Sequence, residues 1–269
     1  MVTVADVHVT MSAHEVFPHA PLQLVVFELR YERQTKVGRE LLDALTPLVA
    51  DGEVDFGAAN VRVTQPGAPE SALFHILDRA GTLALTVWPT SLTLESSDYQ
   101  HFGPFRDTAL ATFAALSRHL GGPPLHRLGL RYVDEIHPDP SPAEPAGWAR
   151  WIRPELVGLA SVTDGSVTGF GGGVTVDLGD DCTLSFRYST VSGPAVESGG
   201  LLRLRRRPAT PAVVLDTDGY WQPTGATPVS HDRLAGLVDQ LHDAISGLFT
   251  DVTTDDSRSL FRTAEQGRT

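Results

Sequence analysis

The chain predicts an α+β fold, a strongly curved or barrel-like antiparallel sheet of about eight or more strands wrapped by three to four helices. Three observations predict it. Short runs of period-two alternation recur along the chain, separated by Gly, Pro, Asp and Ser turn signals. The helical stripes are too few for the strands, which disfavours a doubly wound parallel sheet. The connections between strands are short, as antiparallel neighbours allow and parallel ones do not.

Residues 1–20 are polar and His-containing, with little period, and read as an arm or a first edge strand. From Leu24 to Arg33 the chain alternates. Val25, Phe27, Leu29 and Tyr31 share one face, and Val26, Glu28, Arg30 and Glu32 share the other, as in a half-buried strand. Val37, Leu41, Leu42, Leu45 and Leu48 step at helical spacing. That helix should stop near Asp51-Gly52, where glycine accepts the left-handed position, and Pro47 works against its end. Residues 54–100 read as an antiparallel meander with strands at 61–63, 73–77, 83–88 and 92–95. Phe102, Phe105, Ala109, Phe113, Leu116 and Leu120 then form a helical stripe, ended by Gly121-Gly122-Pro123-Pro124. Leu128 to Val133 alternates again.

The proline-dense segment 138–147 is a stiff link. It divides a single unit into two pseudo-repeated halves, 1–137 and 148–269. The second half is expected to hold a short helix at 148–159 and strands at 172–178, 183–190, 201–206 and 212–218. Its last helix runs from about Ser230, a good N-cap, to Thr250, with Leu234, Val238, Leu241, Ile245 and Leu248 buried. Leu29-Arg30-Tyr31, Leu130-Arg131-Tyr132 and Phe186-Arg187-Tyr188 share one signature. In each, Tyr falls on the apolar face and Arg on the other.

Composition removes several functions. The 33 acidic residues outnumber 21 basic ones, a net charge of −12 over 269 residues, so a uniform nucleic-acid grip is excluded. The basic run Arg203–Arg207 is a local exception, read as a charge-protected edge strand or a rim contact for an anion. The single cysteine, Cys182, excludes an intrachain disulfide and a Cys-rich zinc site, and the neighbouring Asp180 and Asp181 should raise its thiol pKa. No apolar run reaches the ~18 residues of a membrane span. With no leader visible at Met1, the expectation is a cytoplasmic protein with no membrane partner.

Catalytic motifs are absent. Gly169-Phe170-Gly171-Gly172-Gly173 precedes a strand rather than opening a helix, so it reads as a turn or bulge and not a phosphate loop. Asp216 and Asp218 lie on one face, at a strand end leading into an Asp218-Gly219 turn, where they are solvated or could hold a hard cation. The histidines show no metal-ligand spacing, so no metal and no cofactor is expected. His75, inside an apolar strand, is a hydrogen-bonded core histidine or a general base. Arg30, Arg131 and Arg187 either project inward, to clamp a carboxylate or phosphate, or outward, to pair with Glu28, Glu32 and Glu135, and the outward reading fits the alternation better.

Tyr99-x-x-Phe102, the helix after it and Leu128-Gly129-Leu130-Arg131-Tyr132-Val133 resemble an uncharacterised bacterial family catalogued only by a numbered sequence model. So do Val213–Asp218 and Leu241-His242-x-x-Ile245-x-x-x-Phe249-x-x-x-Thr253-x-x-x-Arg258. The resemblance covers most of the chain and departs at Asp134, where a carboxamide is expected. It implies one conserved-length unit and no activity.

The leading functional expectation is non-catalytic binding of an apolar small molecule, fatty acyl or polyketide-like, inside the curved sheet. Phe27, Leu29, Tyr31, Phe74, Ile76, Leu85, Val87, Leu130, Tyr132, Phe186 and Tyr188 are the expected wall. The alternatives are a lyase, cyclase or isomerase using the same cavity, with His75 or Tyr132 and an arginine as first candidates, and a partner-binding regulatory protein. A homodimer is expected, because exposed strand edges need cover.

Overall fold

A computed structural model describes residues 16–34, 39–49, 61–63, 74–163, 167–193, 196, 202–205 and 210–263. Nine strands form one sheet: β1 (Leu22–Tyr31), β2 (Val61–Val63), β3 (Phe74–Leu77), β4 (Leu83–Val87), β5 (Ser91–Ser96), β6 (Leu125–Ile136), β7 (Gly171–Gly179), β8 (Cys182–Val191) and β9 (Ala212–Trp221). The order is β2-β3-β4-β5-β1-β6-β9-β8-β7, and every neighbouring pair is antiparallel. Among the described residues β2 and β7 are the end strands and do not pair with each other, so the sheet is open and does not close into a barrel. Strands from both sides of the proline-dense link pair directly, β6 with β9.

The helices are α1 (Arg39–Val49), α2 (Phe102–Leu120), α3 (Pro154–Val157), α4 (His231–Val252) and α5 (Asp255–Arg262). They do not wrap the sheet. Apolar side chains of α1, α2 and α4 join Phe27, Leu29, Leu85, Leu94, Leu130 and Leu184 in one large core on a single sheet face. A second core lies further along the same face. Ile136, Phe186, Val213 and Leu215 there meet Trp148, Ile152, Val157, the end of α4 and Phe261 of α5. Period-two alternation assigns the other face to Glu28, Arg30, Thr93, Glu95, Arg127, Arg131, Asp216, Asp218 and Arg187.

Local chemistry explains the elements. The α2 stripe buries Phe105, Ala109, Phe113 and Leu116, and Gly121 closes the helix at φ 72°. Ser230 caps α4, accepting a hydrogen bond from the Arg233 N–H. Arg106 of α2 clamps Asp239 of α4 at 2.5 and 2.8 Å, fixing the two helices side by side. The β7–β8 hairpin turns on Asp180 and Asp181, both at positive φ, as a two-residue primed turn requires.

Several sequence expectations are corrected. The glycine run enters β7 as strand. A Cβ on Gly171 or Gly173 would come within 2.8 Å of a β8 carbonyl oxygen, so the close approach needs glycine. Segment 148–159 breaks into two 3₁₀ turns around the four-residue α3, because Pro154 can only start a helix. Residues 202–205 are not a strand. Arg203 instead bonds back to the Gly81 carbonyl, and Arg205 to Asp98, laying the segment against the β4–β5 end. β9 runs on past Gly219 to Trp221, so Asp216 and Asp218 are mid-strand rather than at a turn. Helix α5 was not anticipated; its eight residues are too short for a readable stripe. Val37, Leu73 and most of the N-terminal arm lie outside the described residues.

Candidate functional site

Between the two cores, on the helix-covered face, lies a band of polar side chains. β6 presents Leu128, Leu130, Tyr132, Asp134 and Ile136 to that face. The large core runs along β6 as far as the Tyr132 ring, and the second core begins at Ile136. Tyr132, at the edge of the first, and Asp134, between the two, are buried at 8% and 7% exposure, with Thr217 opposite Tyr132 on β9. From above, α4 contributes His242. The segment leading into α2 contributes Tyr99 and Phe102.

These groups form a chain. The Tyr132 hydroxyl lies 3.0 Å from the Tyr99 hydroxyl and 3.0 Å from His242 Nδ1. With Nδ1 unprotonated, Tyr132 donates to the imidazole and accepts from Tyr99. Phe102 stacks flat on the His242 ring, 3.6 Å between centroids at 8°. Ser246, one turn on, sits 3.4 Å from the imidazole nitrogens. Tyr99 also meets Phe105 and Tyr132 edge-on.

The electrostatics are one-sided. Burial pushes the Tyr99 phenol up to about 12, its hydrogen bond with Tyr132 pulls it down, and the Asp134 carboxylate raises it further. Tyr132 is pushed well above the ordinary phenol range, first by burial and then by Tyr99 and Asp134. Both phenols therefore stay protonated at neutral pH. They are hydrogen-bond donors, not bases.

The other sheet face carries charge in paired form beside a small buried cluster of Leu24, Val133 and Val214. Arg127 bridges Glu28 at 3.3 Å and Asp218 at 2.7 Å, lies 4.0 Å over the Tyr220 ring, and crosses the bare backbone of Gly129. Arg131 holds Asp216 with two bonds of 2.6 and 2.9 Å. Arg30 pairs with Glu28. The arginines point outward as the sequence suggests, but Arg131 selects Asp216 rather than Glu135, because β9 places that carboxylate one strand away. Asp216 and Asp218 are thus occupied by guanidinium groups. The Arg187 guanidinium has no hydrogen bond or ion pair among the described residues. Two open grooves mark this side, about 650 Å³ beside Glu28, Arg30 and His126, and about 360 Å³ beside Arg187, Ser189 and Val214.

The expected ligand wall divides. Phe27, Leu29, Tyr31, Phe74, Ile76, Leu85, Val87, Leu130 and Tyr132 belong to the large core, packed against α1, α2 and α4. Phe186 belongs to the second core, with Tyr188 packed against it. Of these, Tyr132 alone joins the polar chain. His75 lies on the other sheet face, with Nδ1 2.9 Å from the Thr86 hydroxyl and its ring edge-on to Trp88. Cys182 is fully buried. Its thiol is pushed up by that burial first, and by Asp180 and Asp181 after the opposing pull of Arg233. Among the described residues no three metal-ligating side chains converge.

Sequence reasoning overlooked Tyr99, Phe102 and His242 as site residues. The signal was present. His242 follows Val238 by four residues, a titratable group on an apolar stripe. Comparison with models of protein families, and with curated proteins, finds nothing that matches this chain.

Proposed function

We propose that the chain binds, without turning it over, an apolar small molecule of fatty acyl or polyketide-like character bearing one neutral polar group. The site is the Tyr99–Tyr132–His242 chain at the junction of the two apolar cores. The observation that carries this reading is the placement of a phenol–phenol–imidazole chain between continuous apolar surfaces, with half-buried Tyr99 and Phe102 as its outer members. Apolar flanks supply affinity at about 25 cal/mol per Å² buried. The hydroxyls orient one polar atom.

The raised phenol pKa values favour binding over acid–base catalysis, since a tyrosine used as a base needs a pKa near the working pH. The Asp134 carboxylate disfavours a ligand carboxylate, which selects an alcohol, ester or ketone over a free acid. Phe102 must leave the imidazole for the ligand to reach it.

The test is titration with a fluorescent polyene alcohol and the matching polyene acid. The alcohol should bind with micromolar affinity and at least about tenfold more tightly than the acid. Tyr132→Trp, which fills the junction, should abolish binding. Absence of binding, or equal binding to the wild type and the filled variant, refutes the reading.

A further inference from the structure

We infer that β7 is a pairing edge for a second copy of this chain, joining two nine-stranded sheets antiparallel about a two-fold axis through Thr175. Edge strands are normally blunted by lysine, proline or a covering element. β7, Gly-Gly-Gly-Val-Thr-Val-Asp-Leu-Gly, has neither residue type, and among the described residues no strand pairs with its outer edge. Val174 and Val176 remain 50% and 40% exposed, large apolar side chains left half open although α3 contacts β7.

The sequence of the strand is complementary to itself. An axis perpendicular to the sheet keeps like faces together, so a residue must oppose a residue of its own face. Centring on Thr175 pairs residues 173–177, which end before the register shift between Asp177 and Gly179. It sets Val174 opposite Val176 of the other copy, and Val176 opposite Val174, so four valines form one apolar patch on the helix-covered side. On the charged side, Asp177 falls opposite Gly173 of the other copy.

Charge completes the match. Gly173 is paired with Arg187 on β8, so Asp177, Gly173 of the second copy and Arg187 of the second copy stand in one row. Two strand spacings of about 4.8 Å separate Asp177 from that arginine. The glycine between them has no side chain, which leaves the span open to an aspartate–arginine pair. Arg187 has no hydrogen bond or ion pair among the described residues, and its cross-strand neighbour Asp216 is already held by Arg131. Asp177 makes no ion pair among the described residues. It accepts one hydrogen bond, from the Gly179 N–H at 2.9 Å. The two-fold axis makes the pair twice. Shifting the centre by one residue moves Asp177 off Gly173, which fixes the register.

The test is sedimentation of the full chain between about 1 and 100 µM, the range suited to a small interface. The wild type should reach twice its 28.9 kDa mass. Asp177→Asn keeps the turn hydrogen bond and removes the charge, and it should weaken association at least about tenfold. Asp177→Arg and Arg187→Asp should each do the same or more, and the double exchange should restore wild-type association. Thr175→Pro should give a monomer. Circular dichroism of the charge variants should match the wild type, since both side chains are exposed. A wild-type monomer at the highest concentration, a dimer indifferent to Asp177→Arg, or a double exchange no better than the worse single variant overturns the pairing.

Discussion

Removing one oxygen atom tests the polar chain. In Tyr132→Phe the ring keeps its place against Leu130 and the helices, so apolar burial is unchanged. The hydroxyl that links Tyr99 to His242 at 3.0 Å on each side is gone. His242 is 8% exposed, so its Nδ1 turns to the longer 3.4 Å contact with the Ser246 hydroxyl rather than to water. A buried group that loses its shorter hydrogen bond costs about 1–3 kcal/mol. The half-buried Tyr99 recovers part of its loss from solvent, which places the expected cost at about 2 kcal/mol. For a chain of this size that is a fall in Tm of roughly 4–8 °C. Urea unfolding with an unchanged m-value gives the free energy. A cycle with His242→Leu should show a coupling of about 1 kcal/mol. A cost below about 0.5 kcal/mol, or no coupling, would mean that the hydrogen bond is not formed in solution, and the reasoning fails.

Other outcomes follow from the same packing. Phe113→Ala, at 4% exposure in the middle of the α2 stripe, should cost about 3–5 kcal/mol in a denaturant melt. The contribution of the buried tyrosines to stability should be complete up to about pH 10 and fall from there toward pH 12. The Tyr99 phenol is raised to about 12 from 10, so its contribution is complete below the unfolded value and lost as pH rises through the folded one. Tyr31, also pushed up by burial, steepens the fall. Tm against pH, read beside phenolate absorbance, checks the sign. Gly219→Val should cost about 1–3 kcal/mol, because even a Cβ there would lie 3.2 Å from Ile245 Cδ1 where β9 meets α4. Arg131→Ala should cost less than about 1 kcal/mol, since its pair with Asp216 is half-exposed.

The strands and long helices were legible because each buries one face. Period two in β1 and the three-and-four spacing of α2 place Phe27 and Phe113 in the core without further information. Closure of the sheet was not legible. Alternation says which side of a strand is apolar, not whether the last strand meets the first, and here β2 and β7 stay apart. The covered face was also underdetermined. Helices on one face of an open sheet and helices around a barrel write the same stripes. The Arg-Tyr signature put Tyr31, Tyr132 and Tyr188 on one side and Arg30, Arg131 and Arg187 on the other, as observed. Their partners were not readable, because Asp216 reaches Arg131 only through the β6–β9 register. The same holds for the candidate site. Tyr99, Tyr132 and His242 are separated by 33 and 110 residues in the chain, and only the packing of α2 and α4 on the sheet brings them together.

The central claim, that the Tyr99–Tyr132–His242 junction receives a small apolar molecule, is tested most directly by nuclear magnetic resonance of the histidine rings during titration with decanol. The His242 ring should shift saturably at micromolar concentrations, because the ligand displaces Phe102 from its face. His75, on the opposite sheet face, should stay still. A His242 resonance unmoved at millimolar decanol, or His75 and His242 shifting together without saturation, would contradict the account.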